Sequence, residues 1–498
     1  MKKINKNNII DFFIIFTITC IIFIPFLTGH YATDTYNIAN IGYHEYAIKW
    51  SLNDGRIFMS AIVLLAEKLN LSIEMFTFIT LFLALIVSSI CVIIIKNIIE
   101  RFKKPQNNFQ SIVVMIISYV TIFNFMYIED MYFVECFVMS ISLMLFILAA
   151  DILVKKDKNS VIKSLILVIL GIMFYQGSIC IFFAMTFLIS ILKNKNNIKQ
   201  IIIDIIKSGI IALVAVLLNI GLVKIIGNIY GMKQERLGKV SEIFFNISRI
   251  IKNTDNIIVN SCGLYPACLY LCFVSLIIFF TIIYFDNIKK CDITLVKMIS
   301  VFIMGILSSS VVFILAYTSF YSGRLRLSIG ATIGMLFIIL YTDTKIFEDK
   351  KITKYLIMIL LIAYSISDLS EYIYLMNQHK QVNKLERVDV QEIDSYIENY
   401  EKQTGIKVNK IVKVCVIGKV EDAYYSSIKN KSTFTFTAIR SELAADAVIN
   451  FYTGRNLELE EISYRDGTEI SKIISQSEEK ERCYKCIDDK LYIEVYMF

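Results

Sequence analysis

Proline, glycine and histidine are scarce in this chain, and each scarcity excludes a kind of structure or site. Three prolines and nineteen glycines among 498 residues leave little room for disordered linkers. No phosphate-binding glycine loop is present. The three histidines, His30, His44 and His379, lack the spacing of a metal set. The cysteines include one close pair, Cys483 and Cys486, without the second pair that a zinc site requires.

Charge is also scarce. Charged residues make up 19% of the chain, whereas 56% of residues are hydrophobic, and the mean hydropathy is +0.61. A soluble protein of this length carries more charge and less apolar surface. The net charge of +7 does not indicate a nucleic-acid partner, because the basic residues lie mostly in short loops between apolar runs. The composition therefore predicts a polytopic protein of the lipid bilayer.

Long apolar runs predict about eleven membrane spans, on the rule that roughly 17–25 apolar residues cross a bilayer. The first run has no small-residue cleavage site, so we expect a retained anchor and not a signal peptide. The fifth and sixth runs are short, and two half-spans are the alternative for that pair. The predicted spans are 9–28, 73–95, 111–128, 132–152, 161–175, 178–192, 201–226, 265–285, 294–317, 325–341 and 353–375.

Lys and Arg residues predict the orientation of these spans. With the N-terminus in the cytoplasm, the inner segments hold 22 Lys and Arg and the longer outer segments hold 10, as the positive-inside rule requires. An odd number of spans then puts the C-terminus outside. Residues 57–70 are apolar but short and carry Glu67 and Lys68, so we expect a helix in the outer interface. A full span there is the alternative, and it would invert everything downstream.

The composition becomes polar after Met376. We therefore expect a membrane domain, 1–376, and an extracytoplasmic α/β domain, 377–498, which is large enough to bury a core. Apolar spacing predicts helices at 388–400 and 441–452, and alternation predicts strands at 411–417 and 491–495. The predicted fold class is mainly α: a polytopic helical bundle with a small α/β domain.

The first outer loop, 29–72, concentrates the reactive side chains. It holds the only tryptophan, Trp50, together with Asp34, Glu45, Asp54 and Arg56. Ionisable groups beside a membrane span are costly to desolvate unless they pair or function. We expect Asp34 to be catalytic and the other four to contact substrate. An interface anchor at Trp50, a plain turn at Asp54 and lipid headgroup contact by Arg56 are the alternatives.

The other predicted outer segments, 127–135, 174–178, 227–264 and 318–326, add more polar residues. A carboxylate at the membrane surface can take a proton from an attacking alcohol. Arginine binds phosphate with two parallel hydrogen bonds and stabilises it as a leaving group. The alternatives are a solvated acidic rim, helix packing and helix-end anchors. The candidates are Glu129 and Asp130 for catalysis, and Tyr175, Gln176, Lys233, Arg236, Arg324 and Arg326 for substrate binding.

In their order and sidedness, these elements resemble the membrane glucosyltransferases of the GT-C class that modify bacterial surface polysaccharides, including O-antigen. The resemblance covers about residues 9–375. Such enzymes often have two adjacent acids in the first loop, but here Thr35 follows Asp34, so the second acid comes from elsewhere, with Glu45 and Glu129 as alternatives. The elements that carry the resemblance are Asp34, Trp50 with Gly55-Arg56, Glu129-Asp130, Tyr175-Gln176 and Arg324.

The resemblance implies a polyprenyl-phosphate-linked sugar, glucose by analogy, as the donor. A surface polysaccharide or a lipid-linked glycan would be the acceptor, on the outer side of the membrane, and polyprenyl phosphate would be the leaving group. Some enzymes of this class need a divalent cation. This sequence neither requires nor excludes one, and it indicates no other cofactor.

Two other functions fit a chain with many spans. A flippase or transporter of lipid-linked glycans should place charge near the mid-membrane, whereas here the apolar runs are nearly free of charge. A polysaccharide polymerase, which shares arginine-rich outer loops, is the nearer alternative.

Overall fold

The computed structural model describes residues 6–194, 197–231, 242–253, 264, 288–315, 322–343, 351–416, 428, 434–460 and 484–496. The described chain is mostly helical, with one small sheet. Its α-helices are α1 (Lys6–Ile22), α2 (Ile24–Leu27), α3 (Thr33–Ile41), α4 (Tyr43–Tyr46), α5 (Ile57–Lys68), α6 (Ile73–Phe102), α7 (Asn108–Ile122), α8 (Ile128–Tyr132), α9 (Cys136–Lys155), α10 (Ser160–Phe174), α11 (Ile179–Asn194), α12 (Ile198–Tyr230), α13 (Ile243–Lys252), α14 (Ile288–Ser309), α15 (Val311–Leu315), α16 (Leu327–Asp343), α17 (Lys351–Thr404) and α18 (Ala445–Thr453). Its strands are β1 (Lys410–Val416), β2 (Glu458–Glu460), β3 (Tyr484–Ile487) and β4 (Lys490–Tyr496), and single turns of π-helix (Ala47–Leu52) and 3-10 helix (Gln176–Ser178, Gly323–Leu325, Ala438–Arg440) lie between them.

Six helices of this described part are long and apolar enough to cross a membrane, and four shorter apolar helices accompany them. All ten coincide with predicted spans, while the predicted span 265–285 lies outside the described residues. A membrane protein built of apolar helices is therefore confirmed, and the count of eleven spans stays a prediction. The six are α6, α9, Gln176–Asn194, α12, Thr294–Ile314 and Ile357–Thr404, and the four are Asn7–Ile22, Asn108–Ile122, Ser160–Phe174 and Leu327–Thr342.

Helix α7 ends at Ile122, six residues before the predicted end of its span. Asn124 ends it, because its side-chain amide donates to the carbonyls of Thr121 (3.2 Å) and Ile122 (3.3 Å), and its oxygen accepts from the amide of Met126 (3.1 Å). Asparagine favours such local bonds over a continuing helix. The freed segment includes α8 and carries the acidic residues of the second outer loop.

Contacts between helices show which helix ends meet. Asp151, near the end of α9, binds Arg101 of α6 at 2.5 Å, and Lys193 of α11 donates to the carbonyl of Val154 at 2.6 Å. Twenty residues of α9 separate this basic end from Glu135, a distance of about 30 Å at 1.5 Å per residue. The basic ends and the candidate site residues thus lie at opposite ends of the bundle.

Helix α5 agrees with the segment expected at the outer interface. It has 12 residues, and at 1.5 Å per residue it is about 18 Å long. That length is short of the roughly 30 Å hydrocarbon core. Its location in the interface stays a prediction.

Helix α17 runs without a break from the last predicted span, through Met376, to Thr404. Its far end buries Val390, Ile393 and Ile397 against the sheet, so the predicted helix at 388–400 is the end of a longer one. In the sheet, β1 lies between β2 and β4 and is parallel to both, and β3 pairs antiparallel with β4. The strands predicted at 411–417 and 491–495, and the helix at 441–452, are confirmed as β1, β4 and α18.

Candidate active site

A buried ion pair ties the first outer loop to the second. The Arg56 guanidinium binds the Glu135 carboxylate, whose other oxygen accepts from the Tyr46 hydroxyl at 3.0 Å. Asp54 lies 3.5 Å from the same guanidinium. Gly55 makes the turn that brings the Asp54 and Arg56 side chains together, and its φ of +81° is a backbone angle that favours glycine. The Arg56 side chain is 15% exposed and that of Glu135 1%, so burial strengthens their attraction.

The third outer turn closes over this pair. The Arg56 guanidinium lies 5.2 Å from the centre of the Tyr175 ring, a cation–π distance. The Gln176 side-chain amide donates to the backbone carbonyl of Asp54 at 3.0 Å. Both residues of the Tyr-Gln element therefore contact the first loop, as a shared site requires.

The last outer loop meets the second at Glu129. Its carboxylate accepts from the Ser322 hydroxyl at 2.5 Å and from the backbone amide of Arg324 at 3.2 Å. A side chain at Gly323 would come within 2.7 Å of the same carboxylate, so only glycine permits this approach. Glu129 thus fixes the turn that presents Arg324.

The Arg324 guanidinium has a different environment from that of Arg56. It stacks on Phe133, 3.9 Å from the ring centre, and it forms no ion pair with a carboxylate of the described residues. Phe133 can orient the guanidinium without neutralising it. Among the described cations of this region, Arg324 therefore has no ion-paired carboxylate to displace when it binds an anionic group.

Asp130 is fully buried, and in the described part of the chain neither of its carboxylate oxygens has a hydrogen-bond partner. Burial raises the pKa of Asp130 well above its ordinary value, with the Arg324 charge opposing the shift and the Glu129 charge adding to it. An unpartnered buried carboxyl group is costly. A residue of this kind at a cluster of charges is a candidate for contact with a bound molecule.

Asp34 lies in the first turn of α3. The helix begins there because the Thr35 hydroxyl accepts from the amide of Ala32 at 3.2 Å, and an acid is favoured near the helix start. Burial and the Glu135 charge raise the pKa of Asp34 to about 6, against the opposing charges of Arg324 and Arg56. A carboxyl group with this pKa is a suitable general base near neutral pH.

We call the set Asp34, Asp54, Arg56, Glu129, Asp130, Glu135 and Arg324 the charge cluster. Electrostatic interactions couple its members across three outer loops: Asp34 interacts with Glu135, Arg324, Arg56 and Asp54, and Arg324 also interacts with Glu129 and Asp130. With Tyr175 and Gln176, which contact its first-loop residues, the structure brings together eight of the thirteen residues that the sequence singled out.

Some predicted site residues lie elsewhere. Glu45 is exposed and binds Lys49 at 2.5 Å on its own helical face. The Trp50 ring stacks beside Tyr46 with 6.4 Å between ring centres, and it packs on the first loop. Arg326 is fully buried, with its Nε donating to the carbonyl of Ser322 at 3.4 Å. Lys233 and Arg236 lie outside the described residues.

Glu135 and Tyr46 are the residues that sequence reasoning left out of the candidate site. In the sequence, Glu135 is distinguished only as an acid in the first turn of a predicted span. Its partner Arg56 is 79 positions away, a separation that no local pattern reports. The available signal was a third acid within seven residues of Glu129, at a helix start beside the membrane. Among the described residues, no three His, Cys, Asp or Glu side chains are grouped closely enough to hold a metal ion.

A sequence-family profile described as "Glucosyl transferase GtrII" matches residues 23–341. The matched segment includes every member of the charge cluster. No curated protein sequence matches the chain.

Proposed function

The chain belongs to the glucosyl transferase GtrII family, and we propose that it transfers glucose from polyprenyl-phosphoglucose to a hydroxyl of a surface polysaccharide or lipid-linked glycan. The family supports a membrane glycosyltransferase. The donor, the acceptor and the outer side of the membrane are the parts that we propose. One observation supports them: Asp34, a carboxyl group with a raised pKa, belongs to the same charge cluster as Arg324, which forms no ion pair with a carboxylate of the described residues.

In the proposed reaction, Asp34 accepts the proton of the acceptor hydroxyl. The acceptor oxygen then forms a bond to the anomeric carbon, and the bond from that carbon to the phosphate oxygen breaks. The electron pair of the broken bond stays on polyprenyl phosphate, which leaves with an additional negative charge. Arg324 stabilises that charge, and Arg56, already bound to Glu135, holds the first loop in position.

The remaining acids have different proposed roles. Glu129 holds the turn that carries Arg324 through Ser322 and the backbone amide. Neither Asp130 oxygen has a hydrogen-bond partner among the described residues, and its raised pKa keeps it protonated at higher pH than an ordinary carboxyl group. It can therefore donate a hydrogen bond to a sugar hydroxyl or to the phosphate.

Purified protein in lipid nanodiscs tests this function directly. With polyprenyl-phosphoglucose and a lipid-linked glycan acceptor, we expect glucosylated acceptor and an equal amount of free polyprenyl phosphate. UDP-glucose as the only donor should give neither product. In sealed proteoliposomes, movement of the lipid-linked sugar across the bilayer without transfer would instead identify a flippase, and chain extension of the acceptor without glucose transfer would identify a polymerase.

Reporter fusions test the proposed orientation. We expect alkaline phosphatase fused after Phe498 to be active, because the excess of basic residues at the other end of the bundle keeps that end in the cytoplasm. The same reporter fused after Lys104, in a predicted inner segment, should be inactive. The reverse pattern would put the charge cluster in the cytoplasm and would contradict an outer acceptor.

Asp130→Asn should stabilise the protein while lowering transfer. Because the folded state holds Asp130 with a raised pKa, it binds more protons than the unfolded state. Wild-type stability therefore falls as pH rises above about 4, by at most about 1.4 kcal/mol per pH unit. Asparagine does not titrate, so the variant lacks this pH dependence. The free energy of unfolding of Asp130→Asn should therefore exceed that of the wild type by an amount that grows from pH 5 to pH 7.

Reaction of the buried Cys91, Cys136 and Cys180 thiols during heating can report unfolding. The matched control is Asp151→Asn, which removes a buried carboxylate that binds Arg101 and Lys155, and which should lower the unfolding temperature. A similar loss in Asp130→Asn would mean that Asp130 has a structural partner and is not held for a substrate.

A further inference from the structure

Helix α3 carries Asp34, and some of its other side chains contact the polar C-terminal part of the chain. Tyr36 is fully buried, and its hydroxyl donates to the Glu386 carboxylate at 3.1 Å and lies 2.9 Å from the Tyr452 hydroxyl. Glu386 belongs to α17 and Tyr452 to α18. The residue two positions after Asp34 is therefore fixed by side chains from the polar last quarter of the chain.

Glu386 is itself held firmly. It is 1% exposed and accepts hydrogen bonds from the backbone amide of Ala438 and from the Asn383 side chain at 3.3 Å, as well as from Tyr36. A buried carboxylate with several donors resists movement, because losing any of them leaves a costly unpaired group. Glu386 therefore binds the Tyr36 hydroxyl of α3 from a fixed position.

Helix α17 also holds the backbone just before α3. The Asn383 side chain forms two hydrogen bonds with Tyr31, accepting from its amide and donating to its carbonyl, each at 3.0 Å. The His379 ring contacts the Tyr31 carbonyl at 3.0 Å and the Phe434 carbonyl at 2.9 Å. One face of α17 thus holds the chain immediately before the turn that contains Asp34.

The end of α3 is held as well. Asn40 donates to the Asp446 carboxylate at 3.1 Å and accepts from the Asn450 amide at 2.9 Å. Asp446 in turn binds Lys413 of β1, whose side chain is 3% exposed. Helix α3 is fixed at its start, middle and end by α17, α18 and, through Lys413, the sheet.

We propose that Asn383 and Glu386 of α17, together with Asp446 and Tyr452 of α18, form a positioning element of the active site, which holds Asp34 in place through Tyr36 and Asn40. This inference rests on the proposed role of Asp34 as the base. It differs from the expectation of a separate domain, because the contacts reach the catalytic helix and involve buried polar groups. Catalysis is sensitive to such positioning, since a shift of about 1 Å can cost about 100-fold in rate.

The test compares two Tyr→Phe variants. Tyr36→Phe removes the hydroxyl that binds Glu386 and keeps the ring. Tyr396→Phe, on α17, removes a hydroxyl that accepts from the amide of Cys486 in β3 at 3.4 Å. We expect Tyr36→Phe to lower kcat by roughly 10- to 100-fold with little change in donor KM, and Tyr396→Phe to retain the wild-type kcat. Glu386→Gln, which keeps an acceptor for Tyr36, should lose less than Tyr36→Phe.

The pH profile separates positioning from general damage. In Tyr36→Phe, Asp34 is displaced and better solvated, so its pKa falls toward the ordinary carboxyl value. The acidic limb of the variant's pH–rate profile should therefore move below pH 6. Tyr396→Phe should keep the wild-type limb. Equal losses of kcat in the two variants with unchanged limbs would overturn the proposal, since they would indicate only a general structural role.

Hydrogen–deuterium exchange gives a readout that does not depend on the proposed function. In the double variant Tyr36→Phe/Asn40→Ala we expect faster exchange of the amides of residues 33–41, with α9 and α11 unchanged. Unchanged protection of α3 would overturn the positioning role even if sugar transfer is established. Loss of protection in a protein that proves not to transfer sugar would retain the structural coupling and reject only the proposed chemistry.

Discussion

Replacing Asp34 by asparagine is expected to lower sugar transfer by roughly 100-fold or more, with the protein still folded in the membrane and donor binding largely kept. Asparagine has a similar shape but cannot accept the proton of the acceptor hydroxyl, and lost acid–base catalysis has about this magnitude. Steady-state transfer by the wild-type and Asp34→Asn proteins in nanodiscs measures the effect. Donor affinity, measured separately, shows whether binding survives.

The pH dependence of the wild-type enzyme should identify the same group. Burial and the Glu135 charge raise the pKa of Asp34 to about 6. A general base works only when it is ionised, so kcat/KM should fall as pH drops through about 6, tenfold for each unit below it. Glu135→Gln removes the second cause of the shift, and the limb should therefore move to lower pH.

Glu45→Gln is the matched control for Asp34→Asn. It makes the same kind of change in the same loop, but Glu45 is exposed and pairs with Lys49 outside the charge cluster, so transfer should be unchanged. If Asp34→Asn transfers at nearly the wild-type rate while Glu129→Gln abolishes transfer, Asp34 is not the base. If all of these variants transfer normally, the proposed acid–base mechanism is wrong.

Local patterns in the sequence predicted the helices well, because apolar length and helical periodicity are properties of neighbouring residues. The apolar run before Asn124 was read as continuing to residue 128. The helix ends earlier because one side chain competes for backbone hydrogen bonds. The change from apolar to polar composition predicts a domain boundary at Met376. Helical periodicity is present on both sides of Met376, so α17 continues past it.

The site was predictable in outline and not in its pairing. Membrane sidedness alone brings the outer loops to one surface, so Asp34, Glu129 and Arg324 could be grouped from sequence. Sidedness does not say which acid neutralises which arginine. Arg56 is ion-paired with Asp54 and with Glu135, which is 79 positions away in the sequence. Arg324 forms no ion pair with any of the described acids. This difference between the two arginines appears only after folding.

Arg324→Lys should lower transfer by about 100-fold, the scale of losing one group that stabilises a developing charge. The proposed donor is a phosphodiester with one negative charge, and the leaving polyprenyl phosphate gains a second, so the interaction strengthens as the bond breaks. The guanidinium can bind two phosphate oxygens at once, whereas the lysine ammonium acts as a point charge and does not stack as well on Phe133. We therefore expect kcat to fall more than donor affinity, and product affinity to fall with kcat.

The matched control for this change is Arg249→Lys. Arg249 lies over the Phe245 ring at 4.1 Å, a geometry close to that of Arg324 on Phe133, but on α13 and outside the charge cluster. It should transfer at the wild-type rate, which would show that an arginine stacked on an aromatic ring is not enough. If Arg324→Lys and Arg326→Lys both keep full transfer and unchanged donor affinity, the donor phosphate is bound elsewhere. Lys233 and Arg236 would then be the next residues to replace, because they are also cations predicted on the same side of the membrane and predicted to bind substrate.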